Sequence, residues 1–356
     1  MQVQPAIHST KMKRILLTVA YDGTGYSGFQ AQKSGVPTIE RELNRALTEL
    51  TGAETVVSGA SRTDAGVHAL CNLAVFDTDS RIPAEKFANA LNMRLPNQIC
   101  VQDSQEVPAD FHPRFCDTVK TYDYVIYNAR FASPRRRRFS FYSYTPFDVD
   151  RMREAARYLV GEHDFKSFCS VHTQALSTVR TITEIEVIER PCEEERKAER
   201  AAEGAPVPAE DAGSFTAGTA KGAADAEKGT AGAVKMTKYT GSKIVKAPKA
   251  VPPREIVIRV SGTGFLYNMV RIIAGTLMEV GRGAIAPEQV KEILEARDRG
   301  KAGPTAPPEG LTLVRYRILG TGARPDPGDS GDPRDSGDPR GSSDPRDSGD
   351  PNTEDL

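Results

Sequence analysis

The chain has 356 residues, enough for two lobes or for one large core with appended segments. It has no run near the eighteen apolar residues that a membrane span needs, and MQVQPAIHSTKMKR at the start has no apolar stretch like that of a secretion signal, so a soluble cytoplasmic protein is expected. The formal charge of −1 averages unlike parts: residues 321–356 hold four Arg against ten Asp and Glu, and subtracting that −6 leaves a mildly basic +5 on residues 1–320.

After a short flexible N-terminus (1–13), RILLTVAY (14–21) reads as a strand. Ile39, Leu43, Ala46, Leu47 and Leu50 then recur at helical spacing. TVVSGA (55–60) and LCNLAVFDT (70–78) read as strands, residues 84–95 as a helix, and KTYDYVIYN (120–128) as a strand with Tyr122, Tyr124 and Ile126 on one face. Asp148 is positioned to cap a helix that carries Met152, Ala155, Ala156 and Leu159. TVRTITEIEVIE (178–189) and REIVIRVSG (254–262) are strands on either side of an Ala-, Gly- and Lys-rich stretch at about 191–253, which reads as a flexible insertion. A helix with Met269, Val270, Ile272, Ile273, Leu277 and Met278, a polar helix from about Pro287 and a last strand, LTLVRYRIL (311–319), complete the body. Residues 321–356 repeat DSGDPR with nothing apolar to bury, so disorder is expected there. Strands that follow one another closely favour an α+β sheet with helices on it over a doubly wound parallel fold.

Several motifs attract attention and fail. Gly23, Gly25 and Gly28 have the spacing of a dinucleotide fingerprint directly after a strand, but FQAQKSGVPT follows where a helix would have to open. The same stretch approaches the D-x-D-G-T phosphatase pattern with Ala20 in place of the nucleophile, and Asp64-Ala65-Gly66 occurs once where aspartic proteases need two copies. The five histidines lack metal-ligand spacing, and the five cysteines include no Cys-x-x-Cys pair, so no metal and free thiols are expected.

SRTDAGVHA (61–69) holds a carboxylate, Asp64, on the connection between two strands. An aspartate beside a glycine is often only a turn-former. Its company exceeds what a turn requires: Arg62 two residues away, a Tyr-bearing strand, and Arg271 within the apolar FLYNMVRIIAG. An arginine among Met269, Val270, Ile272 and Ile273 requires a partner if buried, and Asp64 is a candidate for it.

Together, YDGTGYSGFQAQ with TIERELNRAL, SRTDAGVHA, DFHPRFCDTVKTYDYVIYN, LVGEHDFKSF, FLYNMVRIIAGTLMEVGRG and EGLTLVRY resemble the tRNA pseudouridine synthase A family, in family order and over nearly all of residues 14–319. Two departures are visible, Phe29 where tryptophan is usual and Ser61 where glycine is common. The resemblance implies an α+β pseudouridine synthase fold with a mixed, mostly antiparallel sheet, flanking helices and two similar lobes (14–105 and 106–320) around a cleft. It implies conversion of uridine to pseudouridine at positions 38, 39 and 40 of tRNA by a homodimer without a cofactor. Asp64 is then the catalytic aspartate, Arg62 a holder of the everted nucleotide, Tyr122 the lid on the uracil and Arg271 the ion-pair partner. PRRRRF (134–139), with Arg135, Arg136, Arg137 and Arg138, is the densest cationic run and, with Arg114, Lys120 and Arg130, a candidate for phosphate contacts. His68 and His112 are expected to serve packing or turns. The residues leave open whether Asp64 attacks the base, attacks C1′ or removes a sugar proton. Two rivals remain: the same chemistry on another RNA, and a non-catalytic RNA-binding protein.

Overall fold

A computed structural model describes residues 12–173, 175–192 and 252–320. The expected insertion and acidic tail lie outside these residues, apart from 191, 192, 252 and 253.

Among the described residues, ten strands form one sheet. β1 (Lys13–Tyr21), β2 (Ser58–Gly59), β3 (His68–Thr78), β4 (Ile99–Val107), β5 (Asp117–Asn128), β6 (Phe141–Ser143), β7 (Gly161–Asp164), β8 (Val179–Pro191), β9 (Arg254–Gly262) and β10 (Leu311–Gly320) pair in the order β4-β1-β3-β10-β5-β9-β8-β7, with β2 on β3 and β6 on β5. The pairing is antiparallel except at β3–β10 and β5–β6, so the sheet is mixed and mostly antiparallel. The α-helices of the described residues are α1 (Ile39–Thr51), α2 (Phe87–Asn92), α3 (Val149–Ala156), α4 (Met269–Arg282) and α5 (Gln289–Ala296).

Alternation along β1 puts Ile15, Leu17, Val19 and Tyr21 on the face that meets Ile39, Leu43, Ala46 and Leu47 of α1. Leu16 points the other way, into a smaller cluster with Leu73, Val75 and Phe111. Thr38 starts α1 by accepting a hydrogen bond from the Arg41 N–H, and Gly52 ends it in the left-handed conformation. As the sequence predicts, Asp148 caps α3, accepting from the backbone N–H groups of Asp150 and Arg151. α4 is buried nearly all round, Arg271 being the one charged residue in its first two turns.

Three expectations are corrected. Residues 55–60 form only the two-residue β2, because the Val57 N–H donates to the Asn44 side chain of α1 and Val56 is exposed. Residues 84–95 divide into a 3-10 turn and the short α2. The sequence reading also passed over β4, β6 and β7: β4 is a polar edge strand (ICVQDSQEV), and the other two are three and four residues long.

The seam of the sheet fixes where the functional loops meet. β3 and β10 share only Thr312↔His68 and Leu313↔Ala69, and Leu313 in turn faces Tyr122 on β5. The loop ending at His68 therefore lies two strands from Tyr122. β1–β4 lie on one side of this seam and β5–β10 on the other.

Candidate active site

Residues 61–67 form a loop held by backbone bonds and one buried amide. The Val67 N–H donates to the Asp64 carbonyl (3.1 Å), closing a turn with Gly66 at φ 77°. Asn72 of β3 is fully buried. Its Nδ2 donates to the Ser61 carbonyl (2.8 Å) and the Tyr21 hydroxyl (3.1 Å), while its Oδ1 accepts from the N–H groups of Ser61 (3.2 Å) and Leu73 (2.9 Å). The Tyr21 hydroxyl is also 2.7 Å from Thr63 Oγ1, so the loop is braced at Ser61 and again at Thr63. Sequence reasoning missed Asn72, because its partners come from two other segments. Asn72→Ala strands several of these groups, and a loss of about 2–3 kcal/mol is expected, read by denaturant unfolding, with a matching fall in turnover.

The glycine-rich stretch 22–30 packs directly against this loop. The Phe29 N–H donates to the Thr63 carbonyl (3.1 Å), and the Gly23 N–H donates to His68 Nδ1 (3.0 Å). A Cβ at Gly23 would lie 2.1 Å from the Val67 carbonyl oxygen, and one at Gly28 would lie 2.8 Å from that of Thr63. These glycines allow two backbones to touch, and α1 opens only at Ile39, so the dinucleotide reading has no structural counterpart. Phe29 is buried with its ring against Gly59.

Arg271 reaches the loop from the other half of the sheet. Its Nη1 lies 3.7 Å from Asp64 Oδ2, with 13% and 16% of the two side chains exposed. A cation in the first turn of a helix opposes the helix dipole, so its position depends on other partners. Nε donates to the Ala306 carbonyl (2.7 Å) and Nη1 to Asn268 Oδ1 (2.9 Å). Asn268 is left-handed (φ 60°), a conformation asparagine tolerates better than most residues.

Tyr122 is buried beside them, 8% exposed, with Phe265 edge-on at 5.2 Å. Burial, then Tyr21 and the Asp64 carboxylate, raise its phenol well above the ordinary tyrosine value. Tyr122 is therefore a neutral phenol at rest.

The arginine run is not one uniform patch. Arg136 pairs with Glu255 and lies over the Tyr127 ring. Arg138 Nη1 is 3.5 Å from Asp22 Oδ2, and Phe139 meets the His68 ring at 4.9 Å, which ties this segment to the loop. Arg135, Arg137 and Arg138 are exposed, as is Arg62. His68 is buried, and burial lowers its pKa although Asp22, 3.2 Å from Nδ1, opposes this; the Gly23 N–H faces the same nitrogen. His112 is 3.1 Å from Ser58 Oγ and accepts from the Arg114 N–H, a turn role. Among the described residues no group of three His, Cys, Asp or Glu could hold a metal, and no helix is long and apolar enough to cross a membrane.

A carboxylate, a guanidinium and a tyrosine, drawn from three segments, thus meet at one seam. A profile described as tRNA pseudouridine synthase matches residues 17–116 and 155–317. The chain belongs to this family. It is 39% identical to the tRNA pseudouridine synthase A of Brevibacillus brevis over 302 residues, covering 85% of this chain and 98% of that protein. The proteins of the same name from Caldicellulosiruptor bescii and Acetivibrio thermocellus are 36% and 39% identical over 303 residues, again 85% of this chain and 98% of each relative. The chain is thus an enzyme of the isomerase class, built on the family's α+β fold.

Proposed function

We propose that this enzyme converts uridine to pseudouridine in the anticodon stem-loop of tRNA, at positions 38, 39 and 40, with Asp64 as the nucleophile on a flipped-out nucleotide. The observation that carries this reading is Asp64 Oδ2 at 3.7 Å from Arg271 Nη1, on a loop two strands from Tyr122. A carboxylate serves as a nucleophile only when ionised, and a neighbouring guanidinium favours that form.

The reaction breaks the bond from N1 to C1′, turns the base and joins C5 to C1′, and the proton leaving C5 is balanced by one gained at N1. Nothing is oxidised or released, so the side chains suffice without a cofactor. Tyr122 offers a ring against the uracil. Flipping the nucleotide costs about a few kcal/mol, which contacts elsewhere must offset. Arg62 beside Asp64 and the exposed Arg135, Arg137 and Arg138 are suited to supply them, while Arg136, engaged with Glu255, shapes the segment that carries them. A homodimer in the cytoplasm is the setting we infer; sedimentation at a mass of one chain would refute the dimer.

Incubation with unmodified tRNA, followed by mapping of carbodiimide adducts, tests the assignment. New pseudouridines at 38–40 are expected. Modification confined to another RNA would point to a different substrate, and binding without any product would identify a non-catalytic RNA-binding protein.

A further inference from the structure

A guanidinium beside a carboxylate normally closes to hydrogen-bonding distance. Arg259 of β9 does so with Asp123 of β5, its Nε and Nη2 each 2.7 Å from a carboxylate oxygen. Arg271 does not. Its Nη1 stops 3.7 Å from Asp64 Oδ2, although both side chains are mostly buried, where attraction between charges is strongest.

What that nitrogen does reach is Asn268. The same Nη1 donates to Asn268 Oδ1 at 2.9 Å, while Nε is held by the Ala306 carbonyl at 2.7 Å. An asparagine at the start of a helix ordinarily has an extended backbone and accepts from an N–H of the first turn. Asn268 stands at the start of α4 with φ 60° and ψ 6°, and its side chain caps no N–H of that helix. Its Oδ1 is turned to the guanidinium instead.

We propose that Asn268 is a positioning residue that holds Arg271 back from Asp64, so that the pair keeps a charge contact without a hydrogen bond. The inference rests on Asp64 being the nucleophile, as read above, and adds how its reactivity is set.

Charge and hydrogen bonding fall off differently with distance. Opening a contact from 2.7 Å, as in Arg259–Asp123, to 3.7 Å weakens the Coulomb attraction by only about a quarter. A hydrogen bond does not survive that opening. Asp64 thus retains most of the charge that favours its ionised form, without a bond from Arg271 that attack on carbon would have to give up. Giving up a charge-assisted bond would slow attack about 10- to 100-fold.

Three other titratable groups face this contact. The Glu309 carboxyl, in the turn before β10, is raised by burial against the pull of Arg271, and the phenols of Tyr122 and Tyr124 are also raised by burial. The phenols stay neutral through the acid range, and Arg62, beside Asp64 in the chain, stays charged. Glu309 is therefore the other carboxyl to control for.

The test measures single-turnover rates on tRNA against pH for the parent, Asn268→Gly, Asn268→Asp and Glu309→Gln, with Tm and tRNA affinity alongside. Glycine adopts this backbone without strain and no cap is lost, so Asn268→Gly should keep the parental Tm within about 3 °C. Its Nη1 then closes onto Asp64. The plateau rate should fall about 10- to 100-fold while tRNA affinity stays within about twofold. The acid limb should move to lower pH, because a hydrogen-bonded cation favours the carboxylate further. Asn268→Asp keeps an acceptor oxygen and adds a negative charge beside Arg271, so its limb should move to higher pH; Glu309→Gln should retain the limb. An Asn268→Gly variant with the parental rate, or with a limb at unchanged or higher pH, overturns the restraint. A limb that vanishes in Glu309→Gln does so too, as does a lowered limb in Asn268→Asp, whatever Asn268→Gly does to folding. A parent that forms no pseudouridine in tRNA overturns the functional reading itself.

Discussion

Asp64→Asn is expected to abolish pseudouridine formation, lowering single-turnover rates by about 10⁴-fold or more. Release of tritium from C5-labelled uridine in tRNA measures it. The substitution exchanges one oxygen for an amide nitrogen at constant volume. Backbone and buried-amide bonds carry the loop's path: the turn is closed from Val67 to the Asp64 carbonyl, and Asn72 and Tyr21 brace Ser61 and Thr63. Arg271 keeps the Ala306 carbonyl and Asn268 Oδ1 as acceptors. Unfolding free energy should therefore change by less than about 1 kcal/mol, and tRNA affinity by less than about threefold. An amide can neither attack carbon nor take up a proton at neutral pH, so only the chemical step fails. Full turnover by this variant would remove Asp64 from the mechanism.

Arg271→Met should damage both activity and stability. Losing the guanidinium removes two hydrogen bonds, strands the Ala306 carbonyl and leaves the Asp64 carboxylate without its cation in a mostly buried place. Such losses amount to about 2–4 kcal/mol, or a fall in Tm on the order of 10 °C for a body of this size. Turnover should fall at least about 100-fold, because the charge that favours the ionised nucleophile is gone. Arg271→Lys separates the two effects. It restores a positive charge without the fork that reaches Ala306 and Asn268 together, so activity should recover further than stability does. A variant with parental Tm and turnover would dissolve the proposed pairing.

Much of the fold was legible because the signals are local. Thirteen-residue α1 and fourteen-residue α4 announce themselves by apolar spacing, α3 by its Asp148 cap, and β5 and β9 by alternation in β-branched and aromatic residues. The misses have the same origin. TVVSGA has strand composition, but a side chain from α1 takes the Val57 N–H that a longer ladder would have used. ICVQDSQEV looks like a polar loop because an edge strand buries only part of one face.

The sequence alone determined which residue types the site contains: one carboxylate in a tight turn, an arginine that its apolar neighbours could not tolerate alone, and a tyrosine on a half-buried strand. Tertiary structure decided the rest. Asp64 and Arg271 meet because β10, the last strand in the sequence, lies between β3 and β5 and sets the register that joins them. The arginines at 135–138 read as one patch, yet folding turns Arg136 to Glu255 and Arg138 to Asp22. Periodicity records what a residue's near neighbours do with its side chain. Distance between segments some two hundred residues apart is set by strand pairing, which no local pattern encodes.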